Sequence, residues 1–455
     1  MKDFEKFKKF NKFLAALIIL SVLTLSFSYV WLKYYNFYRD SRPIVEEIFD
    51  NRGNWLLVVV YFVILFIFSR IYGSLRVGYL KKFNIIYSQL LTILCVNTFI
   101  FLIMCLIARG FYDLMPMLLL TIFDLGVIII WAYISDFVFS KLYPPKNMVI
   151  VYGSKLATEL VYKMSSRDDK YRITYSISID SDIEEIKQLI SKFDAVIICD
   201  VPSQIRNVIL KYCYEKSIRA YVTPKISDII IRSAEEINLF DTPLILCRNH
   251  GLTFEQRFLK RLLDLVLSSI ALILFSPFML IIAIAIKATD GGPVLFRQER
   301  CTLNGKSFLI CKFRSMIVDA EKDGKSIPAI DNDPRITRVG KIIRKLRLDE
   351  IPQLFNIFVG DMSIVGPRPE RIEHIEEFIK EIPEFNFRLK VKGGLTGYAQ
   401  IIGKYNTSAY DKLRLDMMYI QNYSFILDIK LILMTIKILF MKESTEGFKE
   451  RKSDK

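Results

Sequence analysis

Histidine is scarce in this chain, and its cysteines form no recognisable pattern. Only two histidines occur in 455 residues, and the seven cysteines contain no CxxC pair. Zinc sites need closely spaced Cys and His ligands, so a zinc centre is not expected. An odd number of cysteines gives no disulfide framework and favours a reduced, cytoplasmic setting. A cleavable signal peptide is not expected either, because the first apolar run is too long and lacks a small-residue cleavage site.

Apolar residues, by contrast, are abundant. They make up 52% of the chain, which is above the average for globular proteins and predicts membrane segments. The length suits two or three domains. The formal net charge of +15 suits an anionic partner. Charge alone leaves nucleic acid, lipid headgroups and phosphorylated substrates open.

Four apolar segments occupy the first 145 residues, and each is close to the ~20 residues that cross a bilayer. They are Phe13–Leu32, Trp55–Ile71, Ser88–Ala108 and Leu114–Ile134. Basic residues precede the first segment and fill the loop at 72–87, so the positive-inside rule places both on the cytoplasmic side. Asp124, inside the fourth segment, is interpreted as a packing or hydrogen-bonding residue, with a functional role as the alternative.

Residues 146–250 alternate short strand-like runs with helical patterns, which is typical of a parallel, Rossmann-like sheet. The runs are Met148–Tyr152, Arg172–Ile179, Ala195–Cys199, Arg219–Val222 and Leu244–Cys247. The first strand is followed by Gly153-Ser154-Lys155-Leu156-Ala157, without the further glycines of a dinucleotide fingerprint. A regulatory or interaction module without a cofactor is therefore favoured.

A fifth apolar run, Leu262–Ile286, has basic residues on both sides and Ser276-Pro277 near its middle. A straight helix of this length would measure about 37 Å and cross the membrane, placing the basic residues that follow it outside. Proline removes one helix hydrogen bond and bends the axis, and a serine hydroxyl can satisfy the freed carbonyl. A re-entrant helix-break-helix over 262–286 is therefore predicted, with a kinked spanning helix as the alternative.

The stretch Asp331–Glu370 carries the strongest chemical signal. Its first half has the pattern of an amphipathic helix with one apolar stripe and a basic remaining surface. The apolar positions are Val339, Ile342, Ile343 and Leu346. Asp349 and Glu350 follow, just before Pro352 at the predicted start of a new helix. Adjacent positions diverge by about 100° on a helix, so the two acids are expected to have different roles.

Carboxylates beside a basic face, near a helix start that favours anions, form a candidate phosphate site. For the charge run alone, a solvated charged helix remains the alternative. Gly366-Pro367-Arg368-Pro369 then ends the stretch as a rigid loop that presents one guanidinium.

With these residues the chain resembles the bacterial sugar transferase family, the monotopic polyprenyl-phosphate phosphoglycosyl transferases. The similarity covers roughly residues 255–445, after four N-terminal membrane segments and a Rossmann-like domain as in the large form of the family. The matching motifs are Lys260-Arg261, Gly292-Pro293-Val294, Phe296-Arg297-Gln298-Glu299-Arg300, Lys312-Phe313-Arg314-Ser315-Met316, the stretch from Asp333 to Pro369, Leu395-Thr396-Gly397-Tyr398-Ala399-Gln400 and Asp416-Met417-Met418-Tyr419-Ile420.

The resemblance implies transfer of a sugar-1-phosphate from a UDP-sugar to undecaprenyl (polyprenyl) phosphate, with release of UMP. This is the initiating step of exopolysaccharide, capsule or O-antigen biosynthesis. It assigns Asp349 as the nucleophile of a covalent phosphosugar intermediate and Glu350 as a ligand of Mg²⁺. A carboxylate can form an acyl phosphate, and Mg²⁺ takes oxygen ligands, waters and bridging phosphates.

Four basic side chains are candidates for binding the transferring phosphate. They are Arg344, Arg368, Lys312 and Arg314. The expected partners are the UDP-sugar, undecaprenyl phosphate and membrane lipid, with a homodimer and other polysaccharide-biosynthesis proteins as further partners and no nucleic acid. The expected location is the bacterial inner (cytoplasmic) membrane, with the catalytic domain on the cytoplasmic face.

The predicted fold is that of an α-rich membrane protein in three parts. Residues 1–145 form a four-helix transmembrane bundle and 146–250 a Rossmann-like α/β domain. Residues 251–455 form a mainly α catalytic domain that carries the re-entrant helix-break-helix at 262–286. Every motif with a chemical interpretation lies in this third part.

Two other functions remain open. Asp331-Asn332-Asp333 has the DxD spacing of glycosyltransferases that release a nucleoside diphosphate, although Asp333 also begins the family's DPRITR motif. A non-catalytic scaffold for a polysaccharide assembly complex is the third reading. The chain departs from the family at Gly393, where proline is usual, and at Cys301-Thr302, where an aliphatic–glycine pair is common.

Overall fold

The computed structural model describes residues 7–35, 51–153, 156–239, 241–247, 251–318, 320, 333–403 and 407–439. The chain divides into two compact units between Thr223 and Pro224. The first holds four long helices and a parallel sheet. The second holds one further long helix and every residue of the candidate site.

The four apolar segments of the first unit are helices, as predicted. They are α1 (Lys8–Val30, continued by a π-helical turn at Trp31–Tyr35), α2 (Asn51–Tyr72), α3 (Lys82–Ile107) and α4 (Met115–Leu142). Leu23, Phe27, Tyr61 and Ile93 are fully buried among them, whereas their outer faces expose large apolar side chains. The buried Asp124 accepts a hydrogen bond from Ser26 Oγ at 2.6 Å, which agrees with its interpretation as a hydrogen-bonding residue.

A four-stranded parallel sheet completes the first unit. The chain continues through β1 (Lys146–Tyr152), α5 (Leu156–Ser165), β2 (Tyr171–Ser178), α6 (Ile183–Ile190), β3 (Ala195–Cys199), α7 (Ser203–Glu215) and β4 (Arg219–Val222). The strand order is β2-β1-β3-β4. The two central strands are buried because helices cover the sheet, which is why they read as continuous apolar runs.

The fifth predicted strand is not part of this sheet. Residues Thr242–Leu246 form β6, which pairs antiparallel with β5 (Glu235–Leu239) in a separate hairpin within the second unit. All five β6 residues are exposed. The run Leu244–Cys247 is apolar, but apolar composition does not specify a partner, and the nearest strand in the chain forms the pair.

The second unit is mainly helical, as predicted. Its elements are α8 (Ile226–Arg232), β5, β6, α9 (Phe254–Asp290), β7 (Leu295–Cys301), β8 (Ser307–Phe313), α10 (Arg338–Lys345), a 3₁₀ turn (Leu348–Glu350), α11 (Gln353–Val359), β9 (Ser363–Val365), α12 (Ile372–Glu381), a 3₁₀ segment (Pro383–Lys390), β10 (Gly394–Thr396), α13 (Tyr398–Ile402), α14 (Ala409–Gln421) and α15 (Phe425–Leu439). β7 pairs antiparallel with β8, and β9 pairs parallel with β10.

Helix α9 runs without interruption through Ser276 and Pro277. Thr253 and Gln256 form a capping box at its start, and Gly291, with φ 70°, ends it in a left-handed conformation. Proline has no N–H, so the carbonyl of Ile273 loses its helical donor. The Ser276 hydroxyl donates to that carbonyl at 2.8 Å. This bond keeps the helix continuous where the sequence predicts a break, while the re-entrant path through the membrane stays a prediction.

Both halves of α9 pack against the second unit along one face. Ala271, Leu272 and Phe275, before the proline, pack with a core that includes Phe308 and Ile357. Beyond the proline, Ile282 and Ile286 pack with Phe313 and Ile343. The opposite face exposes large apolar side chains, namely Leu262, Val266, Ile270, Ile273, Leu274, Phe278, Leu280, Ile281 and Ile284. Across both units, α1 to α4 and α9 are the five described helices that are long and apolar enough to cross a membrane.

Candidate active site

The two adjacent acids lie in a tight turn between α10 and α11. Thr337 caps α10 by accepting from Gly340 N at 2.9 Å, and Gly340 approaches the Ser315 carbonyl too closely for any side chain. Arg347 then takes a left-handed conformation, with φ 54°, and reverses the chain into the 3₁₀ turn. With three residues per turn, neighbouring side chains point about 120° apart. The predicted separation of the two carboxylates therefore follows from the backbone.

The amphipathic stripe of α10 is only partly buried. Ile343 is buried and Val339 packs beside it, but Ile342 and Leu346 are 62% and 57% exposed. The predicted apolar stripe is present, and two of its four side chains are exposed. Phe355, Phe358 and Val359 on α11 are exposed as well, so apolar side chains surround the surface next to the acids.

Glu350 is held by two cations on a single oxygen. Its Oε1 accepts from Lys312 Nζ at 2.9 Å and from Arg368 Nη2 at 2.7 Å. Its Oε2 lies 4.0 Å from Arg347 Nη1, which is beyond hydrogen-bond distance. Burial alone would raise the pKa of Glu350, but the two cations and their hydrogen bonds outweigh it and hold the pKa well below its usual range. Glu350 is therefore a fixed anion.

Asp349 has the opposite environment. Burial raises its pKa above the usual value, and the neighbouring charge of Glu350 adds to the rise. The charges of Lys312 and Arg344 act in the other direction without restoring the ordinary value. A partly desolvated carboxylate of raised pKa is more basic, and hence a better nucleophile, than one paired with a cation.

Lys312 is half-buried, and burial lowers its pKa although Glu350 opposes the shift. Lys312 lies at the end of β8. The side chain of Asn356, which sequence reasoning did not single out, fixes the position of this strand. Asn356 Oδ1 on α11 accepts from Cys311 N at 2.9 Å, and its Nδ2 donates to the Leu309 carbonyl at 2.8 Å. The Asn356 amide thus hydrogen-bonds to the backbone of β8 and holds Lys312 next to the two acids.

The loop that carries Arg368 is fixed from behind by a second residue that sequence reasoning missed. Arg388 Nη2 donates to the Arg368 carbonyl at 3.0 Å and lies 2.8 Å from Asp416 Oδ2. Both side chains of this ion pair are almost completely buried, at 3% and 1% exposure. Glu370 Oε1 lies 3.7 Å from Arg388 Nη1. Asp416 belongs to the matched motif Asp416-Met417-Met418-Tyr419-Ile420, which was the available signal for this pair.

Two further candidates, Arg314 and Asp333, bind partners other than the two acids. Arg314 forms an ion pair with Asp290, at the C-terminal end of α9, and its side chain is 6% exposed. Asp333 Oδ1 accepts from Arg335 N at 3.0 Å and the Asp333 carbonyl accepts from Ile336 N at 3.1 Å, which is the arrangement of a turn. The other two residues of the DxD pattern, Asp331 and Asn332, lie outside the described residues. The structure thus brings Lys312, Arg344 and Arg368 to the acids, and it directs Arg314 elsewhere.

The base of α9 is fastened to the same unit by buried polar groups. Lys260 Nζ donates to Asp428 Oδ2 at 2.7 Å and to Tyr419 Oη at 3.1 Å. One turn on, Asp264 Oδ1 accepts from Ser363 Oγ and from Ile364 N at 3.0 and 2.9 Å. Breaking a buried pair of this kind costs about 3–5 kcal/mol. The helix and the candidate site are therefore parts of one rigid arrangement.

Comparison with known proteins shows the family of this chain. The model of the bacterial sugar transferase family matches residues 255–442. The chain is 40% identical over 191 residues to a UDP-glucose:undecaprenyl-phosphate glucose-1-phosphate transferase of Caulobacter vibrioides, a match that covers 41% of this chain and 71% of that protein. The chain belongs to the bacterial sugar transferase family.

Other relatives are longer than the matched region. The UDP-glucose:undecaprenyl-phosphate glucose-1-phosphate transferase of Klebsiella pneumoniae is 40% identical over 262 residues, covering 55% of this chain and 53% of that protein. The UDP-N-acetylgalactosamine-undecaprenyl-phosphate N-acetylgalactosaminephosphotransferase of Aeromonas hydrophila is 44% identical over 185 residues, covering 40% of this chain and 44% of that protein. The chain thus spans about half the length of these two relatives, and its family was predicted correctly from its motifs.

Proposed function

We propose that this protein transfers a sugar-1-phosphate from a UDP-sugar to undecaprenyl phosphate and releases UMP, as the initiating step of polysaccharide synthesis. The observation that carries the proposal is the contrast between two neighbouring carboxylates. Glu350 is neutralised by Lys312 and Arg368, whereas Asp349 beside it has a raised pKa. One acid is thus suited to holding charge in place, and the other to attacking phosphorus.

In this reaction an Asp349 carboxylate oxygen attacks the phosphorus that carries the sugar. The bond from that phosphorus to the bridging oxygen breaks, and UMP leaves with the oxygen. A phosphate oxygen of undecaprenyl phosphate then attacks the same phosphorus, the acyl-phosphate bond breaks, and Asp349 is regenerated as a carboxylate. Lys312, Arg344 and Arg368 offset the negative charge that collects around the phosphorus in both steps.

Mg²⁺ is the cofactor that we propose for this site. Among the described residues no group of three or more potential metal ligands occurs. Mg²⁺ nevertheless needs only one or two carboxylates beside waters and substrate phosphates. Glu350 fits as the ligand, because the two cations fix its Oε1 while Oε2 lies beyond hydrogen-bond distance of Arg347. The ion would neutralise diphosphate charge when bound, and Lys312 and Arg368 keep Glu350 ionised and correctly oriented for it.

The proposed setting is the cytoplasmic face of the inner membrane. There, α1 to α4 form a transmembrane bundle, the parallel sheet forms a Rossmann-like domain without a cofactor, and α9 enters and leaves on one side. The apolar outer face of α9 and the exposed apolar side chains of α10 and α11 support this arrangement. It brings Asp349 to the level at which a soluble nucleotide-sugar meets a lipid phosphate headgroup.

A panel of UDP-sugars that includes UDP-glucose and UDP-N-acetylgalactosamine tests the reaction. We expect UMP as the nucleotide product, and without acceptor lipid we expect a sugar-phosphate adduct on Asp349 in the intact-protein mass. Asp349→Asn should abolish both signals without changing the folded protein, whereas the exposed surface variant Glu373→Gln should keep them. Release of UDP instead would favour the glycosyltransferase alternative, and full turnover by Asp349→Asn would contradict the covalent route.

A further inference from the structure

A cluster of basic side chains lies within the first unit, which holds none of the candidate active-site residues. Lys8 and Lys12 come from the first turns of α1, and Arg167 and Lys170 from the turn that precedes β2. Two tyrosine rings contact three of these cations. Lys12 Nζ lies 3.5 Å and Lys170 Nζ 5.7 Å from the centre of the Tyr79 ring. Lys8 Nζ lies 4.7 Å from the centre of the Tyr143 ring.

The turn that carries two of these cations is fixed in place. Lys170 N donates to the Arg167 carbonyl at 2.9 Å, and Arg167 Nη1 donates to the Tyr79 carbonyl at 2.6 Å. Tyr79 itself follows Gly78, whose positive φ of 70° places its backbone close to the Lys12 side chain. Hydrogen bonds to backbone carbonyls thus hold Arg167 and Lys170 beside Tyr79, whose ring Lys12 also contacts.

Two carboxylates act on Arg167. Asp169 binds Arg167 through both carboxylate oxygens, at 2.8 Å each, and Asp136 acts on Arg167 from α4. Lys170 Nζ is buried and has no hydrogen-bond partner among the described residues. Burial lowers the pKa of Lys170 to about 8, and the charges of Arg167, Lys12 and Lys8 contribute to the fall against Asp169.

A buried ammonium without an acceptor is costly, and contact with an aromatic ring replaces only part of its lost hydration. An anion bound among the cations would supply the missing acceptor. The cluster also lies where the start of α1, the loop after α2 and the end of α4 meet. These three positions are on the same side of the helices, the side that the positive-inside rule places in the cytoplasm. Anionic phospholipid headgroups are concentrated at such a surface.

We propose that Lys8, Lys12, Arg167 and Lys170 form a binding site for a phosphate group, supplied by an anionic phospholipid headgroup of the cytoplasmic leaflet. The buried Lys170 ammonium donates a hydrogen bond to the phosphate, and Lys12 donates a second one beside the Tyr79 ring. A bound lipid would tie α1, the loop after α2 and the turn before β2 together. The expected effect is a lipid-dependent stabilisation of the first unit, independent of the transfer reaction.

The test uses the full-length protein in a neutral detergent and follows its thermal unfolding during titration with phosphatidylglycerol, phosphatidylcholine or inorganic phosphate. We expect phosphatidylglycerol to raise the midpoint temperature saturably and phosphatidylcholine to have no such effect. Lys170→Gln and Lys12→Gln should each raise the half-saturating concentration of phosphatidylglycerol about fivefold or more. Lys216→Gln removes the same charge from a solvent-exposed position of this unit and should leave it unchanged.

Stability without lipid separates folding from binding. Lys170→Gln removes a buried charge that has no hydrogen-bond acceptor among the described residues, so the lipid-free variant should unfold at the same temperature as the wild type or higher. If that variant fails to fold, Lys12→Gln alone decides the outcome. Equal responses of wild type and both variants to phosphatidylglycerol would overturn the proposal. Stabilisation by inorganic phosphate, with phosphatidylglycerol no better than phosphatidylcholine, would overturn the assignment to a lipid.

Discussion

At the scale of single residues, the site depends on two carboxylates that are adjacent in sequence and unlike in electrostatics. Lys312 lies 38 positions before Glu350 and Arg368 lies 18 positions after it, yet both donate to the same oxygen. Glu350 is thereby kept ionised at any physiological pH. Asp349 is left with burial and a neighbouring negative charge, both of which raise its pKa. The difference between the acids is created by their partners and not by their own chemistry.

Replacing Lys312 with methionine should move the pH dependence of catalysis. In the proposed mechanism Asp349 must be ionised to attack, and Lys312 lowers its pKa. Without this charge the pKa of Asp349 rises further, so the acidic limb of kcat/KM should shift to higher pH. The loss of one cation beside the phosphate should also reduce kcat/KM by roughly 10²-fold near neutral pH. The measurement is a pH–rate profile of UMP release.

Lys306→Met is the matched control for this prediction, because Lys306 is exposed in the nearby turn between β7 and β8. It should keep both the rate and the profile of the wild type. An acidic limb that stays in place, or moves to lower pH, in Lys312→Met would show that Lys312 does not set the charge state of Asp349.

At the scale of elements, the two departures from the family pattern turn out to be in contact. Gly393 N donates to Thr302 Oγ1 at 3.0 Å, and that hydroxyl donates to the Asp361 carbonyl at 3.1 Å. A proline at position 393 would have no N–H to donate, and a glycine at position 302 would have no hydroxyl to receive it. A side chain at 393 would also meet the ring of Pro369, next to Arg368. Gly393 thus supplies the donor of this hydrogen bond and Thr302 supplies its acceptor.

This contact predicts non-additive effects in a double-mutant cycle. Thr302→Gly leaves the buried Gly393 N–H without its acceptor, which should cost about 1–3 kcal/mol. Gly393→Pro removes the donor and crowds the Arg368 loop. The double variant restores the residues usual in the family and should be more stable and more active than the sum of the single effects predicts. Thermal unfolding and UMP release measure the coupling, and strict additivity would contradict it.

Elements with a strong local signal were predicted well. The strands Ala195–Cys199 and Arg219–Val222 have the predicted bounds. Ala195–Cys199 is a fully buried apolar run between helices, a pattern that has few alternatives. Partner choice was less predictable. Leu244–Cys247 pairs within its own hairpin, and Ile342 remains exposed on α10. At the site, adjacency revealed Asp349 and Glu350, but the support from Asn356 and Arg388 depends on contacts across 45 and 20 residues of chain.

At the scale of the whole molecule, the boundary of the second unit predicts where the chain can be shortened. Ile226 and Ile229 of α8 are buried in the same core as Leu413 and Met417 of α14. Ser233 Oγ also donates to Gln421 Oε1 at 3.1 Å. A chain that begins at Leu252 loses these contacts, whereas one that begins at Pro224 keeps them. Burying one isoleucine contributes about 1.5–3 kcal/mol.

We therefore expect the chain from Pro224 to release UMP and to unfold at a clearly higher temperature than the chain from Leu252. Asp349→Asn in the longer of the two serves as the inactive control. Equal midpoint temperatures would show that α8 does not stabilise the unit. A folded but inactive chain from Pro224 would show that the four helices or the sheet contribute directly to the reaction.

The way in which α9 packs within the second unit predicts its path through the membrane. Lys260, near its start, and Ile286, near its end, are both buried against that unit. If α9 spanned the bilayer as a rod, the elements packed along it would have to enter the membrane with it. Basic residues flank both ends as well. A helix bent at Pro277 that enters and leaves on the cytoplasmic side meets both conditions.

Single cysteines at positions 257 and 287 test this path in a background that lacks the seven native cysteines. Arg257 and Lys287 are exposed at opposite ends of α9, and neither position needs the buried Lys260 pair to be broken. In intact cells an impermeant thiol reagent should label neither position, and after permeabilisation it should label both. Arg109→Cys, in the loop between α3 and α4 that is expected outside, should be labelled in intact cells and shows that the reagent has access. Labelling of position 287 but not 257 in intact cells would mean that α9 crosses the membrane and that the second unit lies outside.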